Sequence, residues 1–264
     1  MVAAAAVAFD ALAHPDKIWL RWLVVDPGLR RQGIGSALLE QVADVARRAG
    51  CTVLTTSTVD ADGAASSFVS QAGAVPGMLA QQHRLHVADV PDGLLEDWVS
   101  SAPAADGYSL VCWADSCPEE LLERAAAAFE IMNTAPRDEG VSLARPSGER
   151  VRAGLAFHAE RGDAFHTAVR HDPTGDLIAV TELRHNRFRP RLASQGDTAT
   201  HPDHRRRGLG RWVKAHNLAW LLDLHPEFDH VDTLNADVNE PMLAINRQLG
   251  FRPIRSWRNW RLPL

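Results

Sequence analysis

Apolar positions along this chain follow two rhythms, a period of two that reads as strand and a three-to-four spacing that reads as helix. "KIWLRWLVV" (17–25) reads as a strand. Behind it Ile34, Leu38, Val42, Val45 and Ala49 recur at helical spacing, and Gly50 closes the helix. "CTVLTTSTV" predicts a second strand, residues 62–72 a shorter helix ended by Gly73, and "MLAQQHRLHV" a last strand. From Tyr108 the pattern resumes with the strand "YSLVCW" and the helices "PEELLERAAAAFEIMN" and "GERVRAGLAFHAER". The strands "AFHTAVRH" and "DLIAVTEL" follow, joined by the turn "DPTG". After them come a strand at "DTATH", a helix from Gly208 to about Leu224, a strand "HVDTLNA", a helix from Glu240 to Leu249 and a strand "PIRSWRNWRL".

Two stretches in this series are near copies, "DPGLRRQGIG" (26–35) and "HPDHRRRGLG" (201–210). Pro27 aligns with Pro202, Arg30 with Arg205, Arg31 with Arg206, Gly33 with Gly208 and Gly35 with Gly210, always 175 residues on (202 − 27). Gly73 and Gly250, which close the later helices, stand 177 residues apart (250 − 73). An interval this long marks a duplicated domain, not a solenoid. Only 25 residues precede Asp26. The first copy is therefore expected to lack its opening elements. The organisation expected is a partial domain over 1–88, a linker over 89–106 with linker composition, and a complete domain over 107–264.

A strand, a turn with two glycines and a helix together present backbone N–H groups and the positive end of a helix dipole, which suits a phosphate. Arg205, Arg206, Arg207 and Arg211 add positive charge around it. The pattern is RxxGxG. It has no GKS/T and no third glycine of a dinucleotide fingerprint. With its surrounding order of elements, it resembles the GNAT acetyltransferase superfamily. The resemblance implies an α/β fold with a mixed α+β sheet, as two GNAT-like domains in tandem, the first without its opening strands and helices. It implies acetyl-CoA as cosubstrate. Thr198, Ala199 and Thr200 would pair with the pantetheine arm, and Arg205, Arg207, Gly208, Gly210 and Arg211 would hold the pyrophosphate. Asn239 and Asn246, two turns apart on one helix face, would touch pantetheine; otherwise Asn239 is an N-cap and Asn246 a solvated amide. Arg30, Gly33 and Gly35 form a possible second cofactor site.

Acyl transfer to an amine needs a base. Ile178, Val180 and Glu182 share one strand face, so Glu182 is expected to be partly buried with a raised pKa. Asp197 is the second candidate. Many family members carry a tyrosine acid where this chain has Asn246, and the only tyrosine, Tyr108, lies on a predicted strand. Trp257 and Trp260 are candidates for a pocket wall or for plain core. In the first copy Asp62 and Val69 stand at the positions of Asn239 and Asn246, so that half reads as non-catalytic. The expected function is an N-acetyltransferase that moves an acetyl group from acetyl-CoA to a small-molecule amine within a ternary complex. A non-catalytic acyl-CoA-binding or sensor protein is the alternative.

Bulk composition narrows the partners. The net charge of −5 gives no global pull toward nucleic acid or an anionic membrane. No run approaches the ~20 apolar residues of a membrane span, and "MVAAAAVAFD" lacks the basic start of a signal peptide. Three cysteines at unrelated spacings and scattered histidines show no metal motif, so no metal is expected. A cytoplasmic monomer or homodimer is the resulting expectation.

Overall fold

In the computed structural model, which describes residues 2–11, 14–101, 107–136 and 143–264, the chain forms two units that interleave in sequence. The first holds the chain up to Gln81 and again from Arg255 to Leu264. The second runs from Gln82 to Pro136 and from Pro146 to Ile254. Each unit is a mixed α/β structure.

The chain order begins β1 (Ala3–Phe9), β2 (Lys17–Val25), α1 (Ile34–Arg48), β3 (Val53–Val59), α2 (Gly63–Gln71) and β4 (Val75–His86). In the first unit β1 and β2 are antiparallel, and β2 and β3 are parallel. The last strand of the chain, β10 (Arg252–Pro263), pairs antiparallel with β3, Leu262 opposite Leu54. Leu39, Val42 and Ala46 of α1 pack with Ile18, Leu20 and Leu54. The buried stripe of α1 thus has the expected period but a shifted phase. Small Ala43 and Ala46 are buried, whereas Val45 is exposed. Trp260 is core here: its Nε1 donates to Thr58 Oγ1 at 2.9 Å, and it packs with Val69 and Ala74.

Residues 89–106 do not behave as a plain linker. They contain α3 (Leu94–Ser100), whose Trp98 is buried in the same core as Leu85 of β4. Residues 102–106 lie outside the described residues. The end of β4 also belongs to the second unit: Arg84 forks onto Asp232 with bonds of 2.6 and 2.8 Å. The compact units therefore do not coincide with 1–88 and 107–264. Leu85 is buried, and Leu262 partly buried, in the unit that the other stretch of chain largely builds.

The second unit continues with β5 (Tyr108–Ala114), α4 (Leu122–Glu130), α5 (Gly148–Ala159), β6 (Ala164–His171), β7 (Asp176–His185), β8 (Leu192–Thr200), α6 (Leu209–Leu224), β9 (His230–Ala236) and α7 (Glu240–Leu249). β5, β6, β7 and β8 form an antiparallel series, and β9 joins β8 in parallel. Ala168 and Val180 pack with α4 and α5, while their neighbours Val169 and Ala179 pack with α6. Successive strand residues point to opposite faces, so both faces are covered. That is why "AFHTAVRH" and "DLIAVTEL" are almost wholly buried. Among the described residues no helix is long and apolar enough to cross a membrane.

Candidate functional site

β8 and β9 pair only where Leu192–Gln195 meets His230–Thr233. Just beyond, β8 carries a bulge. Thr181 faces Thr198 and Leu183 faces Gln195, so Gly196 and Asp197 together oppose the single residue Glu182. An extra residue bends its strand and increases the local twist. Thr198, Ala199 and Thr200 stay paired to β7 on one side and on the other border a cavity of about 550 Å³.

The glycine loop forms a second wall. A 3-10 turn, Pro202–His204, leads into it, the Asp203 N–H donating to the His201 side chain. Arg206 (φ 63°) and Gly208 (φ 80°) both take the left-handed conformation. Glycine bears this easily; a residue with a Cβ does so at a cost. Arg205 is pinned, its Nε donating to the Thr200 carbonyl (3.0 Å) and Nη2 to Thr134 Oγ1 (2.6 Å). At Gly210 a Cβ would meet Ile245 Cδ1 at 3.5 Å and Thr200 Oγ1 at 3.6 Å, so the strand, loop and α7 approach closely there. The start of α6 leaves its first N–H groups without helical acceptors.

The first unit repeats this geometry. Arg31 (φ 64°) and Gly33 (φ 79°) are left-handed, and Arg30 Nε donates to the Val25 carbonyl at 3.2 Å. Asp26 caps the preceding turn as His201 does. One difference stands out in chemistry. Beside Gly35, the Phe68 ring lies 3.4 Å from a would-be Cβ, where the second copy has the smaller Ile245.

Eight of the expected cofactor residues line the cavity: Thr198, Ala199, Thr200, Arg205, Gly208, Gly210, Arg211 and Asn239. Arg207 does not; Arg206 lines it instead. Asn246 does not line it either. It is buried in the core and donates to Asn235 Oδ1 at 2.8 Å. The α7 stripe thus runs from the cavity, at Asn239, into the interior. Asn239 makes no side-chain cap bond. Its equivalent Asp62 does cap α2, accepting from Ala64 and Ala65. The sequence reading missed the far wall, Ile131, Met132 and Thr134 in the 3-10 turn after α4. Nothing in "EIMN" beyond a helix end signals it.

The two carboxylates meet at the bulge. Glu182 is buried and bonded to Arg184, its Oε2 lies 3.3 Å from His166 Nε2, and it accepts from the Asp197 amide at 3.3 Å. His166 is stacked flat on Trp113 at 5.2 Å. Burial by itself pushes Glu182 up, as expected, but the Arg184 charge and the His166 bond outweigh it and hold the carboxyl below the usual range. Asp197 goes the other way. Its side chain is exposed to solvent and does not line the cavity, yet desolvation by the surrounding protein first and the Glu182 charge second push it up to about 6.

Gly196 makes this arrangement possible. A Cβ there would fall 2.7 Å from both Cγ and Cδ of Glu182. Gly196→Ala is expected to displace Glu182 and to lower stability by about 1–3 kcal/mol. Thermal melting checks this; an unchanged melting temperature would show that Glu182 swings aside freely.

Parted strands, a left-handed glycine turn and an open helix start make the second unit an acetyltransferase-type fold. A family model described as the Acetyltransferase (GNAT) family matches residues 2–73. A tandem GNAT protein from the clavulanic acid biosynthesis pathway, solved without acetyl-CoA, is 31% identical. The match covers 95% of this chain and 75% of that one, with a TM-score of 0.74. The chain belongs to the GNAT acetyltransferase family. A GCN5-related N-acetyltransferase from Sphaerobacter thermophilus (12% identity, 99% and 76% covered, TM-score 0.69) shares the fold. So does one from Kribbella flavida (16% identity, 94% and 81% covered, TM-score 0.58). No curated protein matches the chain.

Proposed function

We propose that this chain transfers an acetyl group from acetyl-CoA to the amine of a small molecule, with both bound together in the second unit. The observation that carries the reading is the cavity where β8 leaves β9, walled by the arginine–glycine loop. The N–H groups at the start of α6, with Arg205, Arg206 and Arg211, would hold the pyrophosphate. The β8 backbone at Thr198–Thr200 would pair with the pantetheine arm, and Asn239 would cover it. Acetyl-CoA supplies an acyl group activated as a thioester.

Asp197 is the better base of the two carboxylates. At about 6 its pKa lies where a carboxylate is ionised at neutral pH and still accepts a proton. It takes the proton that the amine loses. Glu182 is a positioning residue: its charge raises Asp197 and orders Arg184 and His166. Asn246, at the place of the family tyrosine, is an amide and does not serve as acid. A thiol of pKa about 8.5 is already a fair leaving group near neutrality, and water supplies the proton.

Asn246, buried where many relatives carry that tyrosine, favours a second reading, a non-catalytic acyl-CoA-binding protein. A panel of small amines with acetyl-CoA, followed by free thiol, separates the two. Turnover above hydrolysis is the expected result. Acetyl-CoA binding with no turnover of any amine would favour the binding protein.

A further inference from the structure

Away from the transfer site, three side chains from separate parts of the second unit converge. Asp163 precedes β6, His185 ends β7 and His225 caps the C-terminal end of α6. Asp163 Oδ2 lies 3.2 Å from His185 Nδ1 and 3.2 Å from His225 Nε2. All three atoms lie within 4.8 Å of one another. The glycine loop is at the other end of α6, roughly 24 Å away for its 16 residues.

At 3.2 Å His185 Nδ1 is within hydrogen-bond reach of Asp163, and the same spacing suits two ligands of one ion. Ligands about 2.0–2.1 Å from a tetrahedral zinc stand about 3.3–3.4 Å apart. His225 is also oriented for ligation. Its Nδ1 lies 3.2 Å from Glu227 Oε1. A proton held there leaves the Nε2 lone pair facing Asp163, as in the carboxylate–histidine pairs that support metal sites.

The surroundings hold the ligands still. The His185 amide donates to the Asp163 carbonyl at 2.8 Å. The Phe228 ring lies 5.0 Å from His185 and 5.5 Å from His225, and Phe165 is 5.9 Å from His225. The side chains remain 10%, 23% and 37% exposed for His185, His225 and Asp163, which leaves room for a water ligand.

We propose that Asp163, His185 and His225 bind one divalent transition-metal ion. The donor set of two imidazoles and one carboxylate selects zinc over magnesium or calcium, with water as the fourth ligand. The ion ties the residue before β6, the end of β7 and the end of α6, so it anchors the helix whose opposite end forms the glycine loop. Its effect is on stability, not on the acetyl-transfer chemistry. The residues are 22 and 40 positions apart in sequence (185 − 163 and 225 − 185), so no spacing motif announces them.

The test uses the full chain, stripped with a chelator, freed of it and titrated with zinc chloride in a calorimeter. The expected result is one tight site per chain, a higher melting temperature with zinc, and a visible absorption band with cobalt(II). The double variant Asp163→Asn, His225→Gln should lose the site. Glu227→Gln should weaken zinc binding about 10–100-fold with the zinc-free melting curve unchanged. A wild-type chain that binds no zinc overturns the proposal, as does a site that survives the double substitution. If circular dichroism shows the double variant unfolded, unchanged zinc affinity in Glu227→Gln overturns it instead.

Discussion

Valine at Gly208 is expected to cut acetyl transfer by at least about a hundredfold, while valine at Gly33 leaves it within about twofold. The two glycines are a matched pair. Both are left-handed, at φ 80° and 79°, so both substitutions carry the same backbone strain, at least about 1–2 kcal/mol. Neither Cβ overpacks: Gly33 faces open space, and Gly208 has only Arg211 Nη2 at 3.8 Å. The difference is what each loop faces. Gly208 lines the 550 Å³ cavity with Thr198–Thr200 and Asn239. Gly35, beside Gly33, has the larger Phe68 ring in contact where Gly210 has Ile245, and Asp62 is spent on capping α2. Turnover should be compared on protein shown to be folded by circular dichroism and melting, with acetyl-CoA affinity from calorimetry. Equal loss in two folded variants would mean that both halves work.

Asp197→Asn should lower the rate at neutral pH by about 10²–10⁴ and remove an acid limb near pH 6 from the pH–rate profile. Glu182→Gln should act differently. Removing its charge lowers Asp197, so the acid limb moves to lower pH and does not vanish. It also strands Arg184 and His166, at a cost of about 2–4 kcal/mol, less than for a fully buried pair because Arg184 is partly exposed. The signs of linkage differ too. The depressed Glu182 contributes stability above the ordinary glutamate range, and this is lost as pH falls toward its folded value. The raised Asp197 contributes below the ordinary aspartate range of about 3.8, and this is lost as pH rises through about 6. Stopped thiol release across pH, with melting curves beside it, reads both. A Glu182→Gln profile that overlays the wild type would leave Glu182 with a purely structural part.

Much of this was legible in the chain because local chemistry decided it. The glycine loops could be aligned by residue, and in both the left-handed arginine and the Nε bond to the strand-end carbonyl recur. Periodicity found β6, β9 and α7 at their observed limits. Elements set by partners were not legible. "AAAAVAF" forms β1 although alanine is a poor strand former, because it pairs with β2. "LLEDWVS" reads as linker by its flanks, yet it is a helix because Trp98 has a core to enter. For Glu182, burial was foreseeable from the strand face. The direction of its titration was not, since that depends on Arg184 and His166 at the same bulge. Asn246 shares a stripe with Asn239, and only the path of α7 separates one in the core from one on the cavity.

The pairing of β3 with β10 has a consequence for how the protein is made. Leu54 waits for Leu262, about two hundred residues later in synthesis. At roughly 5–20 residues per second, that is about 10–40 s after β3 leaves the ribosome. During that interval the strand "VLTTSTV" has β2 on one side and bare N–H and C=O groups on the other. An open edge of this kind recruits stray strands. The first unit is translated first and finished last. Slowed elongation or a truncated message should therefore show up as aggregation of the N-terminal portion, even though its own glycine loop and helix are intact.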